Sequence, residues 1–157
     1  MEKYLKILRV LNLSIKNFNV YLKNEYWVDG LAEDKIEDKN YFSNIVTGIE
    51  EWLKQTWPNS NKGGVYFLFG YQKDNIEKVG VYIGKASLGS KIGDRFHSHL
   101  KPFSETNNFE KGGFILDYIS SIDLERKKMI PFASALEEFI ISDVKEKIYL
   151  LNSTGNK

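Results

Sequence analysis

Two β-forming runs, residues 64–70 and 79–84, constrain the fold of this chain more than any other feature of it. Each is short, rich in valine, isoleucine, tyrosine and phenylalanine, and ends in glycine. Such residues suit a pleated, half-buried surface, and glycine punctuates strand ends. The stretch between them, residues 71–78, is polar, with Asp74-Asn75 at its middle, and predicts a hairpin loop. Two strands so joined form an antiparallel pair. A lone hairpin is marginal in water, so the rest of the chain has to cover it.

The flanking segments supply that cover. Residues 91–100 read as a helix beginning after Ser90, and residues 107–113 as a loop. Residues 114–122 alternate Ile115, Asp117, Ile119 and Ser121 with Leu116, Tyr118 and Ser120, as a third strand does. Pro131 suits a first helical turn, and Leu136, Ile140, Val144 and Ile148 then make an apolar stripe. The expected class is α/β in the α+β sense: a small three-stranded antiparallel sheet flanked by helices, with an N-terminal helical extension. In residues 1–24, Leu5, Leu8, Val10, Leu11, Leu13 and Ile15 match neither the helical nor the strand period cleanly. Ser43 is placed to cap a helix with Ile45, Val46, Ile49, Trp52 and Leu53 on one face. Trp57-Pro58 and Asn59-Ser60-Asn61 end it, which divides the chain into an acidic, helical extension, 1–60, and a main domain, 61–157.

Composition excludes several chemistries. The 157 residues suit one compact domain, and 42% hydrophobic content is enough for a core. With no cysteine there is no disulfide, no Cys-based zinc site and no Cys nucleophile. The apolar stretch 5–13 is interrupted by Lys6 and Arg9, so neither a membrane span nor a signal core is expected, and the reading is cytoplasmic. Net charge is only +1, but it is unevenly placed. Residues 25–51 carry eight acidic residues against two basic ones. Residues 78–101 carry Lys78, Lys85, Lys91, Arg95 and Lys101 against Asp94, and also both histidines. A phosphate backbone would meet the second region and be repelled by the first.

Three fragments carry reactive side chains: Gly64-Val65-Tyr66, Tyr82-Ile83-Gly84-Lys85 and Arg95-Phe96-His97-Ser98-His99. On an antiparallel pair the two tyrosines come near each other. Arg95 and His99 are four residues apart, hence on one helical face. Taken singly, each has an ordinary structural explanation: strand tyrosines, a surface arginine, a helix-end histidine. The run from Gly80 to Lys85 is not a nucleotide-binding loop, because its glycine spacing is short, Ala86 follows the lysine, and it lies within a β run.

Taken together, and in this order, the fragments resemble the GIY-YIG nuclease superfamily. Gly64-Val65-Tyr66 stands for Gly-Ile-Tyr, and Tyr82-Ile83-Gly84 matches the second half of the name. Arg95 and His99 fall on the helix that follows, Leu136-Glu137 with Ile140-Ile141 resembles the family's Leu-Glu and paired aliphatics, and Asn152 its terminal asparagine. Fifteen residues separate Tyr66 from Tyr82, more than in the compact pattern, which predicts a longer hairpin loop. The resemblance implies metal-dependent endonucleolytic cleavage of DNA. Tyr66 would be the base for water, and Tyr82 would position water or phosphate. Arg95 would stabilise the phosphate and His99 would take or shuttle the proton. Glu137, rather than its neighbour Glu138, would hold one Mg²⁺ or Mn²⁺, with Lys85 and Asn152 on the substrate. The alternative is a non-catalytic relative that binds nucleic acid or protein. Target choice would rest with residues 1–60, with the loops, with a second copy of the chain or with a separate specificity subunit.

Overall fold

The computed structural model describes residues 2–45, 55–100, 110, 111 and 113–152. The two β runs form the expected antiparallel pair. Strand β2 (Gly64–Gln72) sets Tyr66 opposite Gly84 and Leu68 opposite Tyr82 of β3 (Asn75–Ala86). The long loop expected over residues 71–78 is absent: the turn is only Lys73-Asp74. Register slips between Tyr71, which faces Val79, and Gln72, which faces Asn75, so residues 76–78 have no facing residue. The extra length between Tyr66 and Tyr82 therefore lies in extended strands and this slip. Backbone pairing is indifferent to side-chain polarity, so the ladder continues past the apolar run.

Strand β5 (Phe114–Asp123) pairs along the other side of β2, with Tyr66 opposite Ser121. The three expected strands are thus present as β3-β2-β5 in an α+β architecture. The sheet is larger than expected, because β1 (Phe42–Asn44) and the two-residue β4 (Glu110–Lys111) both pair with the outer side of β5. Ser43 consequently sits in a strand and does not cap a helix. Its hydroxyl donates to the Lys39 carbonyl at 3.1 Å, and the Ile45 N–H donates to the Asp117 carbonyl at 2.8 Å. The open side of β5 offers unpaired backbone groups, and satisfying them outweighs a weak helical preference. Val46, Ile49, Trp52 and Leu53 of that expected helix lie outside the described residues, as does most of the expected loop 107–113.

Helix α1 (Leu5–Asn19) buries Ile7, Leu8, Leu11, Ile15 and Phe18. With helix α3 (Ala133–Val144), whose buried face is Ala133, Leu136, Ile140 and Val144, it packs over Val65, Phe67, Phe69, Val81 and Ile83. The opposite sheet face, with Tyr66, Leu68 and Ile119, is covered by Ile92 and Phe96 of helix α2 (Ile92–Leu100). β2 is central and covered on both faces, which is why it reads as a continuous apolar run rather than an alternating one. The N-terminus is tied to β5 where pairing passes from Tyr118 to Leu116 and leaves Asp117 as a bulge. There the Tyr4 hydroxyl donates to the Asp117 carboxylate, and Lys3 pairs with it at 3.0 Å. Among the described residues, no helix is long and apolar enough to cross a membrane.

Candidate active site

Tyr66 is completely buried, with its ring across Gly84 on the neighbouring strand. A Cβ at Gly84 would overlap the phenol, so the last residue of the Tyr-Ile-Gly fragment has to be glycine for the ring to lie there. Tyr66 and Tyr82 are diagonal on one face of the β2–β3 pair, ring centroids 6.2 Å apart. Phe96 of α2 packs edge-on against Tyr66 at 5.1 Å.

Helix α2 brings in Arg95 and His99, and its start is fixed by the segment before β2. The Ile92 N–H donates to Lys62 O at 2.9 Å, and the Gly93 N–H to Ser60 O at 2.8 Å. A Cβ on Gly93 would stand 2.9 Å from Ser60 O, so only glycine permits this approach. Glu125, just past β5, fastens both pieces: its Oε1 accepts from the Gly63 N–H at 2.9 Å and from Lys91 Nζ at 2.6 Å. Held in this way, α2 sets His99 Nε2 2.8 Å from Tyr66 Oη, with the imidazole edge-on to Tyr82 at 4.8 Å. Arg95 lies at the exposed rim, and its charge acts on Tyr66.

Glu137 enters from α3, on the other side of β3. Its Oε2 is 3.2 Å from Lys85 Nζ, and the carboxylate is mostly buried, whereas Glu138 is exposed. Of the adjacent pair, it is Glu137 whose charge acts on both tyrosines. Tyr66, Tyr82, Arg95 and His99 thus gather on the α2 side of β3 and Lys85 with Glu137 on its α3 side, near enough for the Glu137 charge to act on both tyrosines. Asn152, expected on the substrate, is buried and clamps the β3 backbone. Its Oδ1 accepts from the Ile83 N–H at 2.9 Å and its Nδ2 donates to the Ile83 carbonyl at 2.6 Å, both buried. With Leu151 N–H on Val81 O and Val81 N–H on Tyr149 O, it closes the outer edge of β3 behind Tyr82. The side chain imitates one more residue of a paired strand.

The electrostatics follow from burial. The Tyr66 phenol is pushed well above the ordinary tyrosine range, chiefly by burial and secondarily by Tyr82, while Arg95 pulls the other way. Tyr82 is raised by burial and by the Glu137 charge. The Glu137 carboxyl is raised by burial, with Lys85 and Arg95 opposing. Both tyrosines are thus protonated at neutral pH, and a hydroxyl–imidazole hydrogen bond at 2.8 Å suits proton transfer better than a standing phenolate. The basic stretch is less open than its sequence suggests: Lys91 is paired with Glu125 and Lys85 with Glu137, and Lys101 lies outside the described residues. Sequence reasoning missed Gly93 and Glu125, which hold α2. Neither stands in a motif, and their partners are distant in the chain. No protein-family model matches the chain, and no curated protein or solved structure matches it.

Proposed function

We propose that this chain is a metal-dependent endonuclease of GIY-YIG type, hydrolysing phosphodiester bonds in DNA with water as the nucleophile. The observation that carries the reading is the Tyr66 Oη–His99 Nε2 hydrogen bond of 2.8 Å, made beside Tyr82, Arg95 and Glu137. Hydrolysis needs a deprotonated water, a cradle for the scissile phosphate and stabilisation of developing charge. Each requirement has a candidate here.

A phenol with a raised pKa cannot wait as phenolate, so Tyr66 accepts a proton only as it gives one up. With His99 carrying its own proton on Nδ1, Nε2 accepts the Tyr66 hydroxyl. Tyr66 Oη is closed off by burial, so the step requires the site to open to water; water's proton then passes to Oη while the Tyr66 proton passes to His99 Nε2. The water oxygen bonds to phosphorus, the bond to the leaving oxygen breaks, and that oxygen takes a proton from solvent. Arg95 meets the charge gathered on the phosphate with its planar donor fork. Tyr82, partly exposed, directs the water or a phosphate oxygen.

The donor set also suits the implied Mg²⁺ or Mn²⁺. Among the described residues no three acidic, histidine or cysteine side chains cluster. A single carboxylate, Glu137, fits a hard cation that completes its shell with water and substrate phosphate. When bound, such an ion supplies Lewis-acid stabilisation of phosphate and leaving-group charge. DNA is the proposed partner.

The test is direct. Purified chain is incubated with supercoiled plasmid and with single-stranded DNA, each with Mg²⁺, with Mn²⁺ and with chelator. Metal-dependent cutting that a chelator stops is the expected result. No cutting of either substrate in either metal would remove the proposal.

A further inference from the structure

The mostly buried carboxylate of Glu137 already has a cationic partner. Lys85 Nζ lies 3.2 Å from its Oε2, with the lysine side chain one-third exposed and the glutamate much less so. Lys85 is one residue beyond the Tyr-Ile-Gly fragment on β3, and Glu137 is on α3, so the pair ties the strand to the helix. Among the described residues no three acidic, histidine or cysteine side chains gather there as a full ligand set would. Its neighbour Glu138 points to solvent. The fixed charges that act on Glu137 are Lys85 first, then its neighbour Glu138, then Arg95. Lys85 and Arg95 balance Glu137 and Glu138, so the carboxylate is already neutralised, and a divalent ion would have to enter against the lysine that holds it.

We infer that Lys85 is an internal counter-ion that blocks Glu137 until a phosphodiester arrives, so that metal and DNA bind this site cooperatively. The inference rests on the proposed nuclease reading for the identity of the second ligand. An incoming phosphate carries two unesterified oxygens. One can draw Lys85 away from Glu137, and the other can share the cation that Glu137 then receives. Substrate therefore removes the competing charge and supplies a ligand in one event. By linkage, DNA tightens metal binding by the same factor that metal tightens DNA binding.

The experiment measures binding rather than turnover. Mn²⁺ is titrated calorimetrically into the full chain, alone and with a duplex oligonucleotide, in a Tyr66→Phe background. The same titrations are made with Lys85→Met and Lys85→Gln, both of which keep most of the side-chain stem, and with Glu137→Ala as the reference for binding elsewhere. Thermal melts establish that each variant is folded. With Lys85 intact, Mn²⁺ binding without DNA is expected to be weak and to tighten about tenfold or more with DNA, within the usual range of coupling. In Lys85→Met and Lys85→Gln, Mn²⁺ alone is expected to bind about tenfold tighter than with lysine present, and the gain from DNA to shrink. Folded lysine variants that bind Mn²⁺ no more tightly than the lysine form would overturn the inference. So would an undiminished DNA-dependent gain. Failure of the nuclease reading shows elsewhere, as uncut plasmid, whereas tightening by Mn²⁺ alone in the lysine variants depends only on Lys85 and Glu137.

Discussion

Glu137 and Glu138 are adjacent, chemically identical and, on this helix, differently used. Glu137 is mostly buried against Lys85, and Glu138 is exposed. Glu137→Ala is expected to abolish cleavage while DNA binding persists or strengthens, since a negative charge near phosphate is removed. Glu138→Ala should cut at close to the normal rate. The reverse pattern in a plasmid assay would shift the assignment by one residue. The same carboxyl sets an acid limit. Burial raises its pKa, so as pH falls it takes up a proton before an ordinary glutamate would, losing its charge for metal and for Lys85. At limiting Mg²⁺, kcat/KM should therefore decline on the acid side from a pH above the usual value of about 4.3. A profile flat down to pH 4 would contradict this. Tyr66, Tyr82, Arg95, His99 and Glu137 were legible in the sequence because each falls at a motif position. The partners of Lys85 and Asn152 were not. An ion pair between β3 and α3, and an amide clamped on Ile83, are contacts across more than fifty residues of chain and leave no local pattern.

Helix α2 shows how little of a site is specified by the element that carries it. Nine residues bring Arg95 and His99, but its placement depends on Lys62, Ser60, Gly63 and Glu125. Glu125→Ala removes the acceptor shared by Gly63 N–H and Lys91. The expected outcome is a lower melting temperature together with a fall in kcat larger than any change in KM, because the helix no longer holds His99 on Tyr66. Glu125→Gln keeps an acceptor for Gly63 and should recover part of the loss. Equal kinetics for alanine and glutamate would show that α2 is held otherwise. Element types were mostly legible: β2, β3, β5, α2 and α3 follow their residue patterns. α1 was ambiguous because Leu13, 55% exposed, sits off the buried stripe of Ile7, Leu8, Leu11 and Ile15. β1 was misread as the start of a helix because its cause, the open side of β5, lies about seventy-five residues away in the chain.

At the scale of the whole molecule, the division near residue 60 precedes every candidate site residue, yet the core runs across it. Tyr4, Leu8, Leu11 and Ile15 are at most 1% exposed and share one cluster with Phe67, Phe69 and Ile140. Each such side chain contributes about 1.5–3 kcal/mol by burial, and a domain's whole margin is about 5–15 kcal/mol. A fragment lacking residues 1–60 is therefore expected to lose cooperative unfolding in a thermal melt, though no site residue is removed. A sharp transition near that of the full chain would refute this. The charge asymmetry read from composition survives in part, since two of its cations are already paired with carboxylates. The central proposal is that Tyr66 and His99 together take the proton of an attacking water. The most direct measurement is the rate of metal-dependent plasmid cleavage by folded Tyr66→Phe beside the unmodified chain, across pH. Losing one phenolic oxygen leaves the ring on Gly84 and Phe96. The rate is expected to fall by about 10²–10⁴, the contribution of a positioned base, and the remainder to rise with pH as hydroxide takes over. A Tyr66→Phe protein that cuts at a rate near that of the unmodified chain with the same pH profile would contradict the proposal.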